Sequence, residues 1–89
     1  MNMTLECKTK LEKYLRNAKP WFDNLSINET GNQGIDSVAN HFHEMAASYY
    51  SDARHFFEKK EYTNSLAALE YAEGWLDAGC ALGIFEKKN

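Results

Sequence analysis

The stretch "ALEYAEGWLDAGCALGIF", residues 68–85, carries only Glu70, Glu73 and Asp77 as charges, with Gly74, Gly79 and Gly83 set among its apolar residues. At about 100° per residue the three acids fall in one narrow sector of a helix, while the columns Ala67/Gly74/Ala81, Tyr71/Ala78/Phe85, Ala68/Trp75/Leu82 and Leu69/Leu76/Gly83 sweep the rest. The apolar arc exceeds half the circumference. A helix touching two neighbours needs an arc of that width, and glycines and alanines let the neighbours approach despite a helix-propensity cost of about 1 kcal/mol per glycine. The segment therefore reads as the third helix of a bundle, with most of its arc in the core and Trp75 packed between helices. A membrane span is excluded because three acids interrupt a run that would need roughly 20 predominantly apolar residues. The "GCALG" spacing, a dimer motif in lipid, is here a packing feature.

Two further helices lie upstream. Leu11, Leu15, Ala18, Phe22 and Leu25 recur at spacings of four and three, with Cys7, Tyr14 and Trp21 on an adjoining column, which defines one amphipathic helix over about residues 3–25. Pro20 falls inside the pattern and removes an amide, but the stripe continues past it, so bending is expected in place of termination. The Asn-, Gly- and Ser-rich run "SINETGNQGID" marks a flexible loop at about 26–36, with Asp36 or Ser37 offering the cap of a second helix over about 37–59. In that helix Ala39, Ala46 and Ala53 form one column between Phe42/Tyr49/Phe56 and His43/Tyr50/Phe57, so alanines admit a neighbour between aromatic walls. "EKKEYT" then makes a tight antiparallel turn, with Thr63 as the cap of the third helix over about 63–85. No strand is apparent. The expected fold is an all-α, up-and-down three-helix bundle.

The whole chain bounds the possibilities. Its 89 residues support one domain, and 44% hydrophobic with 26% charged residues is a globular composition. A net charge of −3 provides no basic field for nucleic acid or anionic membrane. The N-terminal "MNMTLECKTKLEKYL" has no unbroken apolar run, so a cytoplasmic location is expected. Cys7 and Cys80 lack metal-ligand spacing and, near opposite ends of parallel helices, should not pair. The sequon at Asn28 is then accidental.

Candidate chemistry is sparse. His41 and His55 lie roughly 21 Å apart along one helix and cannot share a metal, His43 borders the aromatic wall, and His41 with Glu44 makes only one H-x-x-E pair. Glu70, Glu73 and Asp77 suit an acid pair or cation site in principle, but such a row is more often the solvated stripe of an apolar helix. No serine or cysteine is paired by motif with a histidine base. Lys8, Lys10, Lys13, Arg16 and Lys19 make the first helix locally basic, with Glu6 and Glu12 interspersed. No catalytic, cofactor or metal residue is assigned.

The run Tyr49–Phe85 carries the blocks "SYY.DA..F" and "A...YA.GWLDAG...G.F" on either side of a short turn. In these it resembles the archaeal family catalogued as domain of unknown function 357, and the resemblance extends over most of the chain. That resemblance implies a small all-helical bundle from an archaeon and supplies no activity or catalytic residue. The stretch "ARHFFEKKEYTNSLAALEYA" is more loosely similar to tetratricopeptide repeats, HEPN domains and helix-binding trafficking bundles. The repeat occurs once where stacking needs about three, and neither Arg16 nor Arg54 has the downstream histidine of HEPN ribonucleases.

The functional expectation is a non-catalytic interaction module, forming a homo-oligomer or accepting a protein partner. Trp21, Tyr14 and Trp75 exceed what so small a bundle readily encloses. The candidate interface is the flank of the third helix formed by Tyr71, Gly74, Ala78, Ala81 and Phe85, beside Ala67. The alternative is a nucleic-acid- or nucleotide-binding accessory domain resting on the basic first helix.

Overall fold

The computed structural model describes residues 5–86, ordered as α1 (Leu5–Asp23), β1 (Ser26–Ile27), α2 (Gln33–Glu58), α3 (Tyr62–Ala81) and β2 (Phe85–Glu86). The fold is all-α, a three-helix bundle, and the described residues span 47 × 22 × 18 Å. Among the described residues no helix is long and apolar enough to cross a membrane. Residues 3–4, expected to begin the first helix, lie outside the described residues.

The closest packing is between α2 and α3. Ala39, Ala46 and Ala53 of α2 have no solvent exposure, as their shared column implies, and α3 buries Ser65, Ala68, Leu69, Ala72, Leu76 and Gly79. Small side chains in both helices allow backbones to approach to where larger residues would hold them apart. The Ser65 hydroxyl, wholly buried, donates to the Ala53 carbonyl at 2.6 Å, so this buried polar side chain is satisfied across the seam.

The first helix joins this hairpin through fewer, larger groups. Leu11, Leu15 and Phe22 supply its buried stripe. Tyr50 of α2 stacks on Phe22, with ring centroids 4.5 Å apart, and its hydroxyl donates to the Leu15 carbonyl at 2.7 Å. Burial raises the Tyr50 pKa, opposed by Arg54 and reinforced by Asp23, so the neutral phenol is the form that makes this bond. Lys8 lies over the Tyr62 ring, which places the start of α1 beside the start of α3. Cys80 is therefore far along α3 from Cys7, and no disulfide joins them. The helix runs through Pro20 to Asp23, as the unbroken stripe implies.

Element ends depart from the sequence expectation in three places, each for a local hydrogen-bonding reason. The third helix stops at Ala81, short of Phe85. Gly83 takes φ of 74°, its N–H donates to Cys80 and the Ile84 N–H to Gly79, closing the helix in a left-handed glycine stop. The chain then turns back as β2, which pairs antiparallel with β1 in the register Ser26↔Glu86 and Ile27↔Phe85. This two-stranded ribbon replaces the expected absence of strands.

Second, the expected loop at 26–36 is shorter than anticipated, because β1 takes its start and α2 its end. Asn32 caps α2 by accepting from the Ile35 amide at 3.1 Å, four residues before the expected Asp36. The Asp36 carboxylate instead accepts from the Thr30 amide and hydroxyl, each at 2.9 Å, and from the Gly31 amide at 3.2 Å. Third, α3 begins at Tyr62, so Thr63 is inside its first turn. The turn before it has Lys60 at φ 64°, with the Glu61 N–H donating to Phe56.

Two expectations follow. A Cβ built on Gly79 would overlap the edge of the Phe85 ring, whereas one on Gly74 meets nothing within 4 Å. Gly79→Ala should therefore destabilise by about 1–3 kcal/mol through overpacking, while Gly74→Ala should stabilise by up to about 1 kcal/mol through helix propensity, both read by urea unfolding. The Thr30 amide, then its hydroxyl, with Gly31 adding, hold the Asp36 carboxyl below its ordinary value of 3.8. A carboxyl depressed in the folded state contributes stability above its unfolded pKa and loses it as pH falls through the folded one. Thermal melts should show Asp36→Asn less stable than the parent at neutral pH, with the gap closing below about pH 4.

Candidate functional site

The buried stripe of α3 faces α2 and α1, which leaves Ala67, Glu70, Tyr71, Glu73, Gly74, Asp77, Ala78 and Ala81 toward solvent. The acids occupy the crest of this outer face. A depression lies on either side of it.

The larger depression, a groove of about 590 Å³, runs between α3 and α2. Ala67, Gly74 and Ala78 give it small side chains, Glu70 gives it a charge, and Tyr71, Trp75 and Phe42 provide its rings. Those rings are braced from α2. Tyr71 stacks on Tyr49 with centroids 5.2 Å apart and an interplanar angle of 22°, and Trp75 meets Phe42 edge-on at 4.9 Å and His41 edge-on at 5.7 Å. These ring contacts with α2 hold Tyr71 and Trp75 at the sides of the groove.

The second cleft, of about 380 Å³, lies between α3 and α1. Its floor is Ala18, Phe22 and Leu76, its aromatic residues are Tyr14 and Trp21, and its polar ones are Asn17, Glu73 and Asp77. Burial, with Asp77 and then Glu70 adding like charge, raises the Glu73 pKa. All three acids are exposed, as the solvated stripe of an apolar helix implies.

Of the expected interface residues, Tyr71, Gly74 and Ala78 come together in the α2–α3 groove. Ala81 is exposed but lies outside that lining. Phe85 does not belong to an interface: it is 5% exposed, on β2, with its ring against Gly79 and edge-on to His43. The helix stop at Gly83 took it out of the helical register on which the expectation depended. Trp75 packs against α2 as expected, yet it is only half-buried and forms part of the groove. Phe42 is in an aromatic wall of α2 as expected, and what the sequence reading did not anticipate is that this wall borders the groove and that Tyr14 and Trp21 line one cleft with Glu73 and Asp77. The surplus of large aromatics signalled exposed rings, but which acids they meet depends on how α1 sits against α3.

His41 meets Trp75 and His43 meets Phe85, both edge-on. His43 Nε2 lies 3.2 Å from the Leu25 carbonyl, tying α2 to the end of the first helical segment. Among the described residues, no group of three or more histidine, cysteine, aspartate or glutamate side chains could hold a metal ion. An additional apolar depression of about 440 Å³ near the ribbon is lined by Ile35, Val38, Leu82 and Ile84, the first three well exposed.

No curated protein and no solved structure matches the chain. A family model does match, over residues 13–85, which takes in the three helices from the second half of α1 onward and the start of β2. The chain therefore belongs to the family described as "Protein of unknown function (DUF357)".

Proposed function

We propose that this chain is a non-catalytic helical interaction module, and that the α2–α3 groove receives a helix of another protein. The observation that carries this reading is the braced groove on the solvent face of α3, where Gly74 and Ala78 lie between Tyr71 and Trp75. Small residues permit a close helix crossing, and partly exposed aromatic rings are the anchors that dominate helix-in-groove binding. Charge favours a different protein over a second copy. Glu70 is the charged residue of the groove and Glu73 and Asp77 border it, so two α3 helices crossing here would set like charges together.

A non-catalytic role is supported by how the groups of chemical interest are used. The Ser65 hydroxyl holds the α2–α3 seam, the Tyr50 hydroxyl holds α1, and His43 faces a backbone carbonyl. The two unbridged sulfurs suit a cytoplasmic setting. Nucleic-acid binding is the alternative, resting on Arg16, Lys19 and Arg54 around a depression between α1 and α2. Glu12 and Glu58 share that depression, Lys10 pairs with Glu6 at 3.6 Å, and Lys19 pairs with Asp23.

A photocrosslinking amino acid at position 78, compared with one at position 13 on α1, tests the reading in cells. The expected adduct is to a helical segment of another protein at position 78, lost in a Tyr71→Ala background. Ala78→Arg, at an exposed helical site, should change folding stability by less than about 0.5 kcal/mol while weakening the isolated complex at least about tenfold. An adduct to a second copy of the chain would replace the partner by a homodimer, and adducts to nucleic acid alone, or none, would overturn the module.

A further inference from the structure

We infer that the helix received by the groove between α2 and α3 is a basic amphipathic one, with an apolar stripe against the groove rings and lysine or arginine along the flank that faces Glu70 and Asp77. This adds the chemistry of the partner to the helix-docking reading above, and rests on it.

Charge is divided across the bundle. The sequence of α3 contains Glu70, Glu73 and Asp77 and no lysine or arginine. That of α2 contains Asp36, Glu44, Asp52 and Glu58 against one arginine, Arg54, which lies over the Tyr50 ring in the depression toward α1. Lys8, Lys10, Lys13, Arg16 and Lys19 all belong to α1, and α1 does not line the groove. The groove therefore sits on the acidic side of the molecule, with no lysine, arginine or histidine among its lining residues.

The shape of the groove selects a helix, and the acids select its charge. Tyr71, Trp75 and Phe42 offer ring surface, while Ala67, Gly74 and Ala78 leave room for a close approach. From Ala67 to Ala78 the lining follows α3 for about 16 Å, the length of three turns of a docked helix. Glu70 is in that lining, and Asp77, exposed, stands two turns farther along the same side of α3. The same seven-residue spacing on a partner helix returns side chains to one flank, so bases at i and i+7 can meet both carboxylates as the flanking positions of a coiled coil do. Across the groove Asp52, exposed and three residues after Tyr49, adds negative charge on the α2 side.

Other occupants fit less well. An uncharged or acidic helix would cover the rings but leave the carboxylates beside the interface without opposite charge, which costs affinity and slows encounter. A nucleic acid would set phosphates against carboxylates. The basic α1 of a second copy has its apolar stripe of Leu11, Leu15 and Phe22 buried in its own bundle.

The full chain, uniformly labelled with nitrogen-15, is titrated with three blocked helical peptides of about fifteen residues. They share one leucine stripe at i, i+3 and i+7 and differ only in carrying lysine, glutamine or glutamate among alanines elsewhere. The lysine peptide should shift the Gly74 and Ala78 amides and the Trp75 indole saturably and bind at least about tenfold more tightly than the glutamine peptide, with the glutamate peptide weakest. Glu70→Gln with Asp77→Asn should bring the lysine peptide to about the affinity of the glutamine peptide. Glu12→Gln with Glu58→Gln, an equal change of net charge in the depression between α1 and α2, should change it less than about twofold. Tyr71→Ala should weaken the lysine and glutamine peptides alike, by about tenfold. All five positions are solvent-exposed, so circular dichroism should show each variant folded. On the parent chain, raising salt from about 50 to about 500 mM should remove most of the preference for lysine over glutamine without any substitution. Equal binding of the lysine and glutamine peptides in the groove, or a preference indifferent to salt, would overturn the basic partner and leave helix docking standing. Equal losses in the two charge pairs would also overturn it, as attraction to net charge alone. Shifts outside the groove, indifference to Tyr71→Ala, or no binding by any of the peptides would remove the docking reading as well.

Discussion

The structure depends on how closely α2 and α3 can approach. Ala39, Ala46 and Ala53 have no solvent exposure, and α3 answers with Ser65, Ala68, Ala72 and Gly79, residues whose side chains take little space. Close approach brings the Ser65 hydroxyl onto the Ala53 carbonyl, a bond made in a site from which water is excluded and where an unpaired hydroxyl would be costly. A seam of small residues leaves large side chains nowhere to go except its edges. Leu69 and Leu76 turn toward the rest of the core, while Tyr49, Tyr71, Phe42 and Trp75 pair along one rim.

The same constraint accounts for the character of the outer face of α3. A helix built of alanine and glycine to fit its neighbour has small residues on its remaining surface as well, because Gly74 and Ala78 lie opposite the seam. With aromatic rims braced from α2 on one side and α1 on the other, that surface becomes two depressions separated by an acidic crest. Beside the cleft, partial burial raises the Glu73 pKa, with Asp77 and then Glu70 adding like charge. An isolated helix would leave the three acids in water, where their mutual repulsion is weak.

The ends of the bundle are held by backbone chemistry more than by apolar burial. Gly83 stops α3 and turns the chain so that β2 meets β1, with the Asn28 amide donating to Ile84 at 2.8 Å and its side chain to Gly83 at 3.0 Å. That turn carries Phe85 back over Gly79, which has no Cβ to obstruct the ring. Glycines that look like surplus in a helix are thus of two kinds. Gly79 is required by a ring packed on it, and Gly83 by a left-handed backbone, whereas a side chain at Gly74 would meet only open space.

Periodicity alone determined three helices, the alanine column of α2, the buried stripe of α1 and the acidic sector of α3, because side-chain spacing on a helix is set by local geometry and needs no knowledge of neighbours. It also placed Tyr71, Gly74 and Ala78 on one flank. Helix ends were less legible: Asn32 competes with Asp36 as a cap, and Gly83 breaks a pattern that is still apolar, so the outcome depends on hydrogen bonds formed across the loop and the ribbon. Only the tertiary structure decided that Phe85 is core, that Trp75 is partly exposed, and that Tyr14 and Trp21 line one cleft with Glu73 and Asp77. Those facts depend on residues far apart in sequence, whose relative positions follow from how closely the helices can pack.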